Sequence, residues 1–224
     1  PQKEGMTLVP KRQVLAMALL MGISCSEKST TQPADNTGTT VPDVYKKIYG
    51  ATSITSDGTW ITIRCKGLPD HKSPYYASTN PLYENFSGTT FRGVTFQKNP
   101  NMIAEKAYVF KIPLKPTEAT AKQATPLGPI GVSLNGVPFF NQYAGPSQLL
   151  TNEIVSFDRY WGHPAPGGMY HYHVEPIYLT VEKVGKSALL GFLLDGFPVY
   201  GPEENGAPVA EASLDAWHGH RHAT

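Results

Sequence analysis

Cysteine is scarce in this chain: of 224 residues only Cys25 and Cys65 carry a thiol. Cys25 sits in an N-terminal leader pattern; if it is lipidated, Cys65 is left without a partner and a structural disulfide is excluded. Cys65 closes the alternating run Trp60-Ile61-Thr62-Ile63-Arg64 and reads as a small buried residue at a strand end. Helical periodicity is also scarce, with Ser147–Asn152 the one candidate for a short helical turn. Charge of either sign is missing as a bulk property. Lys and Arg total 19 and Asp and Glu 18, a net +1; without residues 1–24, which hold Lys3, Lys11, Arg12 and Glu4, the balance is −1. Nucleic-acid binding needs a clustered basic footprint, and nothing here supplies one. His-Glu-x-x-His, Gly-x-Ser-x-Gly and a phosphate-binding glycine loop are all missing, which removes the commonest hydrolase and nucleotide signatures.

The N-terminus reads as a targeting leader. Pro1 is not an ordinary start, and Met6 is the expected initiator. Lys11-Arg12 precede the ten-residue apolar run Val14–Ile23, too short to cross a bilayer as a helix but suited to a signal-peptide core. The run ends at Ile23-Ser24-Cys25, resembling a lipoprotein signal in which Cys25 is lipidated; Gly22 departs from the leucine usual at that position. Ser26–Thr40 is polar with no apolar anchor and reads as a disordered tether. The expected organisation is a signal peptide over 1–24, a lipidated Cys25 and tether over 25–45, and a domain over 46–224. The protein is then expected outside the cytoplasm, membrane-attached through its lipid in a bacterial cell envelope.

The body is mainly β. Ser56-Asp57-Gly58-Thr59 is a hairpin turn leading into a strand at Trp60–Cys65. Further strands are expected at Phe91–Gln97, Ala107–Ile112, Ile130–Leu134, Val137–Phe140, Glu153–Phe157, Met169–Val174, Leu189–Leu194 and Phe197–Tyr200. Antiparallel sheets in a sandwich-like arrangement with long loops are the expected architecture. The loop from Pro69 to Gly88 carries Tyr75, Tyr76, Tyr83 and Phe86, opens on His71 beside Asp70, and reads either as a site or as a packed cap on the sheet.

A weak internal duplication runs through the second half. Gly131-Val132-Ser133-Leu134-Asn135-Gly136-Val137-Pro138-Phe139-Phe140 aligns with Gly191-Phe192-Leu193-Leu194-Asp195-Gly196-Phe197-Pro198-Val199-Tyr200, sixty positions on. Asn-Gly and Asp-Gly between apolar runs predict two tight hairpins. Each is followed by an aspartate and a Gly-His pair: Asp158 with Gly162-His163, and Asp215 with Gly219-His220. The tyrosine matching Tyr170 falls past the last residue, so the domain is expected to be truncated at its C-terminus.

Six of the seven histidines fall in two clusters: His163, His171 and His173, then His218, His220 and His222. On a strand over Met169–Val174, His171 and His173 share one face, their Cα atoms roughly 6.5–7 Å apart, while Tyr170 and Tyr172 take the other. Two imidazoles so placed converge on one divalent metal, or are buried as a hydrogen-bonded structural pair. The candidate ligands are His171, His173, His163 and His220. Asp158, Asp195 and Asp215 are candidates for orienting imidazoles from behind, although an aspartate in an Asp-Gly turn also serves its own backbone. Imidazole-rich, thiolate-poor sites suit zinc or copper.

Tyr170-His171-Tyr172-His173 after Gly162-His163-Pro164, the stretch Gly191–Pro202, Leu68-Pro69-Asp70-His71, and Leu214-Asp215 together resemble the bacterial YHYH-domain family. The resemblance covers the chain from about Trp60 onward. It implies a secreted or surface-attached domain and names no reaction. Metal binding through histidines is thus the expected function. A non-catalytic surface module for a polysaccharide or small-molecule ligand, with a structural His/Tyr network, is the rival; a metal-dependent hydrolase or oxidase is the third reading.

Overall fold

A computed structural model describes residues 39–221. Met6, the apolar run, Cys25, the tether up to residue 38, and His222 lie outside the described residues. Two sheets share one apolar core. The first has three strands, β1 (Ala51–Ser56), β2 (Trp60–Cys65) and β3 (Tyr108–Pro113), all antiparallel. The second has six, in the order β11-β10-β4-β5-β9-β8: β4 (Pro129–Ser133), β5 (Pro138–Phe140), β8 (Gly162–Ala165), β9 (Met169–Tyr172), β10 (Leu189–Leu193) and β11 (Pro198–Tyr200). Every pair in it is antiparallel except β5–β9, which is parallel. Two small ribbons complete the strands: β6 (Tyr143–Ala144) with β7 (Gln148–Leu149), and β12 (Glu203–Glu204) with β13 (Ala207–Pro208).

Alternation places the core. In β2 the side chains of Ile61, Ile63 and Cys65 point inward, and β3 adds Phe110 and Ile112. The six-stranded sheet meets them with Val132, Phe139, Tyr170, Tyr172, Leu190 and Phe192. The folded unit begins before residue 46, because Tyr45 is buried and Val41 packs against the core. Cys65 Sγ donates to Gly136 O at 3.0 Å under the β4–β5 turn, and burial pushes its thiol up to about 11.

Two expected strands take other forms. Phe91–Gln97 instead opens with a 3-10 turn over Phe91–Gly93, because Arg92 and Gly93 both have positive φ, which an extended strand does not accommodate. Glu153–Phe157 contains a 3-10 turn over Ile154–Ser156, where the Ser156 hydroxyl closes back onto Glu153 O at 2.8 Å. The expected helical turn near Ser147–Asn152 is the 3-10 turn Leu150–Asn152.

The duplication is visible as a local two-fold. Where β4 meets β10, Gly131 pairs with Leu193, Val132 with Phe192 and Ser133 with Gly191. A shift of sixty positions maps that register onto itself. The bonds do the same: Leu134 N donates to Leu190 O at 2.8 Å and Leu194 N to Ile130 O at 2.9 Å. Both hairpin tips repeat too, with Ser133 N to Val137 O and Leu193 N to Phe197 O each at 2.9 Å, and with Gly136 and Gly196 at φ 79° and 97°. The glycines common to both repeats sit where the strands touch. A Cβ on Gly131 would lie 2.5 Å from Phe192 O, and one on Gly191 would lie 2.1 Å from Val132 O. Gly191→Ala is therefore expected to cost about 1–3 kcal/mol through overpacking, read as a lower denaturant midpoint. An unchanged midpoint would contradict this close approach.

Candidate metal centre

The β8–β9 hairpin turns through Pro166-Gly167-Gly168, both glycines at positive φ, and pairs His163 directly across from His171. His173 follows two residues later on the same face. Gly162 makes room on the opposite face: a Cβ there would lie 2.4 Å from the Tyr170 hydroxyl. The outcome is three imidazoles facing one point. His163 Nε2 lies 3.1 Å from His171 Nε2, and His171 Nε2 lies 2.8 Å from His173 Nε2. All three side chains are almost wholly buried. Among the described residues, this is the one group of three or more His, Cys, Asp or Glu whose ligand atoms all lie within 4.8 Å of one another.

The other ring nitrogens fix the tautomers. His171 Nδ1 is 2.9 Å from Met169 O and His173 Nδ1 is 2.5 Å from Asn141 O. A carbonyl only accepts, so both Nδ1 atoms carry the proton. His163 Nδ1 lies 2.7 Å from Ser156 Oγ, whose single hydrogen goes to Glu153 O. That hydroxyl therefore accepts, and His163 is protonated at Nδ1 as well. Each Nε2 is left with a lone pair turned toward the other two. Such lone pairs at 2.8–3.1 Å repel, and no hydrogen bond joins them when all three rings are neutral. Burial keeps the rings neutral: it depresses His163 well below the ordinary range, with the neighbouring imidazoles adding to the effect. His171 falls to about 3, for burial first and His173 second, and His173 is lowered by burial. A shared cation removes the conflict. In a tetrahedral site with bonds of about 2.0–2.1 Å, adjacent nitrogens sit about 3.3 Å apart, close to this spacing.

Aromatic rings wall the point off. Phe140 stacks on His171 with centroids 4.0 Å apart, and Phe157 stands edge-on to His163 at 4.9 Å. Tyr75, buried in the loop after β2, donates to Ser156 O at 2.5 Å and so props the turn that holds His163. Among the described residues one acid reaches the cluster: Glu153 Oε2 is 3.5 Å from His163 Nε2 and 3.8 Å from His173 Nε2.

The other face of β9 carries a separate network. Asp158 is completely buried; its Oδ2 accepts from Ser73 Oγ at 2.6 Å and Tyr170 OH at 2.8 Å, and its Oδ1 from Tyr160 N at 2.9 Å. Burial pushes this carboxyl up, opposed by nearby His71 and these donors. Tyr172 OH is 3.1 Å from His71 Nε2 and accepts from Asn135 Nδ2 at 3.1 Å. His71 is packed among Tyr160, Tyr170 and Tyr178.

Of the four ligands expected from sequence, the structure brings together His163, His171 and His173. His220 stands elsewhere, with Nε2 3.4 Å from Glu204 Oε2. Asp158, Asp195 and Asp215, expected behind the imidazoles, make other contacts, and the Nδ1 atoms of the three clustered histidines are met by Ser156 Oγ, Met169 O and Asn141 O. Strand alternation turns Asp158 toward the tyrosine face. Asp195 serves its own turn through Phe197 N at 3.3 Å, and Asp215 accepts from Trp217 N at 2.8 Å and Gly219 N at 3.0 Å. Asp158 and Asp215 nonetheless occupy equivalent loops, for each N–H bonds the carbonyl of the glycine four residues on, Gly162 or Gly219, at 2.8 Å. Sequence reading missed Glu153, Ser156 and Asn141. Backbone carbonyls and a serine leave no spacing signal, and Glu153 lies ten residues from the nearest site histidine.

No curated protein and no solved structure matches the chain. A family model does: the one described as YHYH protein matches residues 109–215, which take in both hairpins, the three histidines and the second Asp loop. Over that stretch the chain is similar to the YHYH family.

Proposed function

We propose that this protein holds one divalent transition metal, zinc or copper(II), through the Nε2 atoms of His163, His171 and His173. One observation carries the reading. Three buried, neutral imidazoles have their protons committed to Ser156, Met169 and Asn141, and aim three lone pairs at one point. A structural histidine network would alternate donors and acceptors, as His71 and Tyr172 do on the other face. The site has no thiolate, which favours zinc or copper(II) over soft ions. The leader pattern at Lys11–Cys25 supports placing this activity outside the cytoplasm, tethered to a membrane by a lipid on Cys25.

The polysaccharide reading drew on the tyrosines of residues 75–86 and on the tethered design. Tyr75 and Tyr76 are buried there, and their hydroxyls bond Ser156 O and Pro69 O. They hold the loop in place.

Calorimetric titration of chelator-treated protein with zinc tests the proposal. One ion per chain is expected, with no net proton release from the three imidazoles and so little dependence of the heats on the buffer, because these ligands are already neutral at pH 7. Heats that show no saturable binding would end it.

A further inference from the structure

Besides the imidazoles, the Glu153 carboxylate has one partner in the fold, the backbone N–H of Gly145. The residue stands between two 3-10 turns, and its backbone carbonyl receives both Ser156 N, at 2.8 Å, and Ser156 Oγ, at 2.8 Å. The second repeat builds the same turn without it. There Ala210 O receives Ser213 N at 2.9 Å and Ser213 Oγ at 2.6 Å, just ahead of the equivalent Asp215 loop. Alanine therefore satisfies the backbone at this position, and the glutamate is present for its side chain.

That side chain is half-buried, with 34% of it exposed, beside imidazoles that are 3–4% exposed. Among the described residues its carboxylate makes ion-pair contacts with His163 and His173 alone, both neutral, and no lysine or arginine lies within 4.0 Å. A carboxylate set against two imidazole lone pairs is unfavourable unless a cation lies among them. Its distances of 3.5 and 3.8 Å from those nitrogens match the spacing between neighbouring ligands around one tetrahedral ion, about 3.3 Å, to within a small side-chain movement.

We propose that Glu153 is the fourth protein ligand, binding through Oε2, so that the centre is three imidazoles and one carboxylate. This rests on the metal-binding reading above and adds its fourth member. Three ligands come from the rigid β8–β9 hairpin and its continuation, whereas Glu153 comes from the solvent side on a different element. It is the ligand that can leave without disturbing the other three, and its departure opens one coordination position to a small anionic or carboxylate-bearing ligand. A single negative donor also lowers the charge of a bound divalent ion to +1, which makes the buried site less costly for a dication.

Zinc affinity of the full chain, measured by competition with a chromophoric chelator, tests this for wild type, E153A and E153Q. Visible absorption of the cobalt(II)-loaded proteins is the second readout. Each variant is expected to keep one ion per chain but bind it at least about 10-fold more weakly, since losing even an outer-shell partner of a ligand typically costs about 10–100-fold. The cobalt spectrum of E153A is expected to differ from wild type and to return toward it on addition of acetate. Metal-free E153A should melt close to wild type, since Ala210 occupies the equivalent turn and only the half-buried contact with Gly145 N–H is lost. Unchanged zinc affinity together with an unchanged cobalt spectrum in E153A would overturn the assignment of Glu153 while leaving the three-histidine centre standing. A wild-type chain that takes up no metal would overturn both.

Discussion

A chain carrying His171→Ala and His173→Ala together is expected to lose stoichiometric zinc and all metal-induced stabilisation. The wild-type protein, with free zinc at one hundred times its dissociation constant, should gain about 2.7 kcal/mol, roughly 5–10 °C in melting temperature for a domain of this size. The double variant should gain nothing. The comparison is made within each protein, with and without metal, because the two substitutions also remove buried rings that pack on Phe140 and Phe157. Their loss leaves space and lowers the metal-free melting point for a reason unrelated to coordination. Removing the Nε2 repulsion acts the other way. A double variant that still gains stability from zinc would show that the metal sits somewhere else.

The second large effect belongs to the other face of the same strand. Asp158→Ala is expected to destabilise the fold by about 3–5 kcal/mol, since it strands the Ser73 and Tyr170 hydroxyls and the Tyr160 amide, each costing about 1–3 kcal/mol when buried without a partner. For a protein whose total stability is about 5–15 kcal/mol, that shift is roughly 10 °C or more in thermal melting. Tyr170→Phe removes one of those bonds and should cost about 1 kcal/mol plus whatever Asp158 loses as a partner. Neither substitution touches a metal ligand, so zinc stoichiometry at low temperature should survive in both. If Asp158→Ala melts within 2 °C of wild type, the carboxylate is not the anchor of the tyrosine face.

Those two faces were legible because strand periodicity is short-range. His171 and His173 had to share a side, and Tyr170 and Tyr172 the other, once Met169–Tyr172 formed a strand. The hairpins at Asn135-Gly136 and Asp195-Gly196 were legible for a similar reason: positive φ at the glycine is a local demand. What spacing could not supply was the choice between His163 and His220. Both follow an aspartate loop and a glycine, and the loops have the same backbone bonds. Only the pairing of β8 with β9 puts His163 across from His171, while His220 stands by Glu204. The tautomer-fixing groups were hidden because two are main-chain carbonyls, present at every residue. Phe91–Gln97 and Glu153–Phe157 looked like strands from their apolar residues, but a left-handed Arg92 breaks the first and a serine bonding back three residues closes a 3-10 turn in the second.

The central claim is that three imidazole Nε2 atoms share one ion. X-ray absorption at the zinc edge of the 1:1 complex measures this most directly. The expected spectrum has nitrogen and oxygen neighbours only, at about 2.0–2.1 Å, with the outer-shell scattering of three imidazoles. A sulfur neighbour at about 2.3 Å, or fewer than three imidazoles, would contradict it.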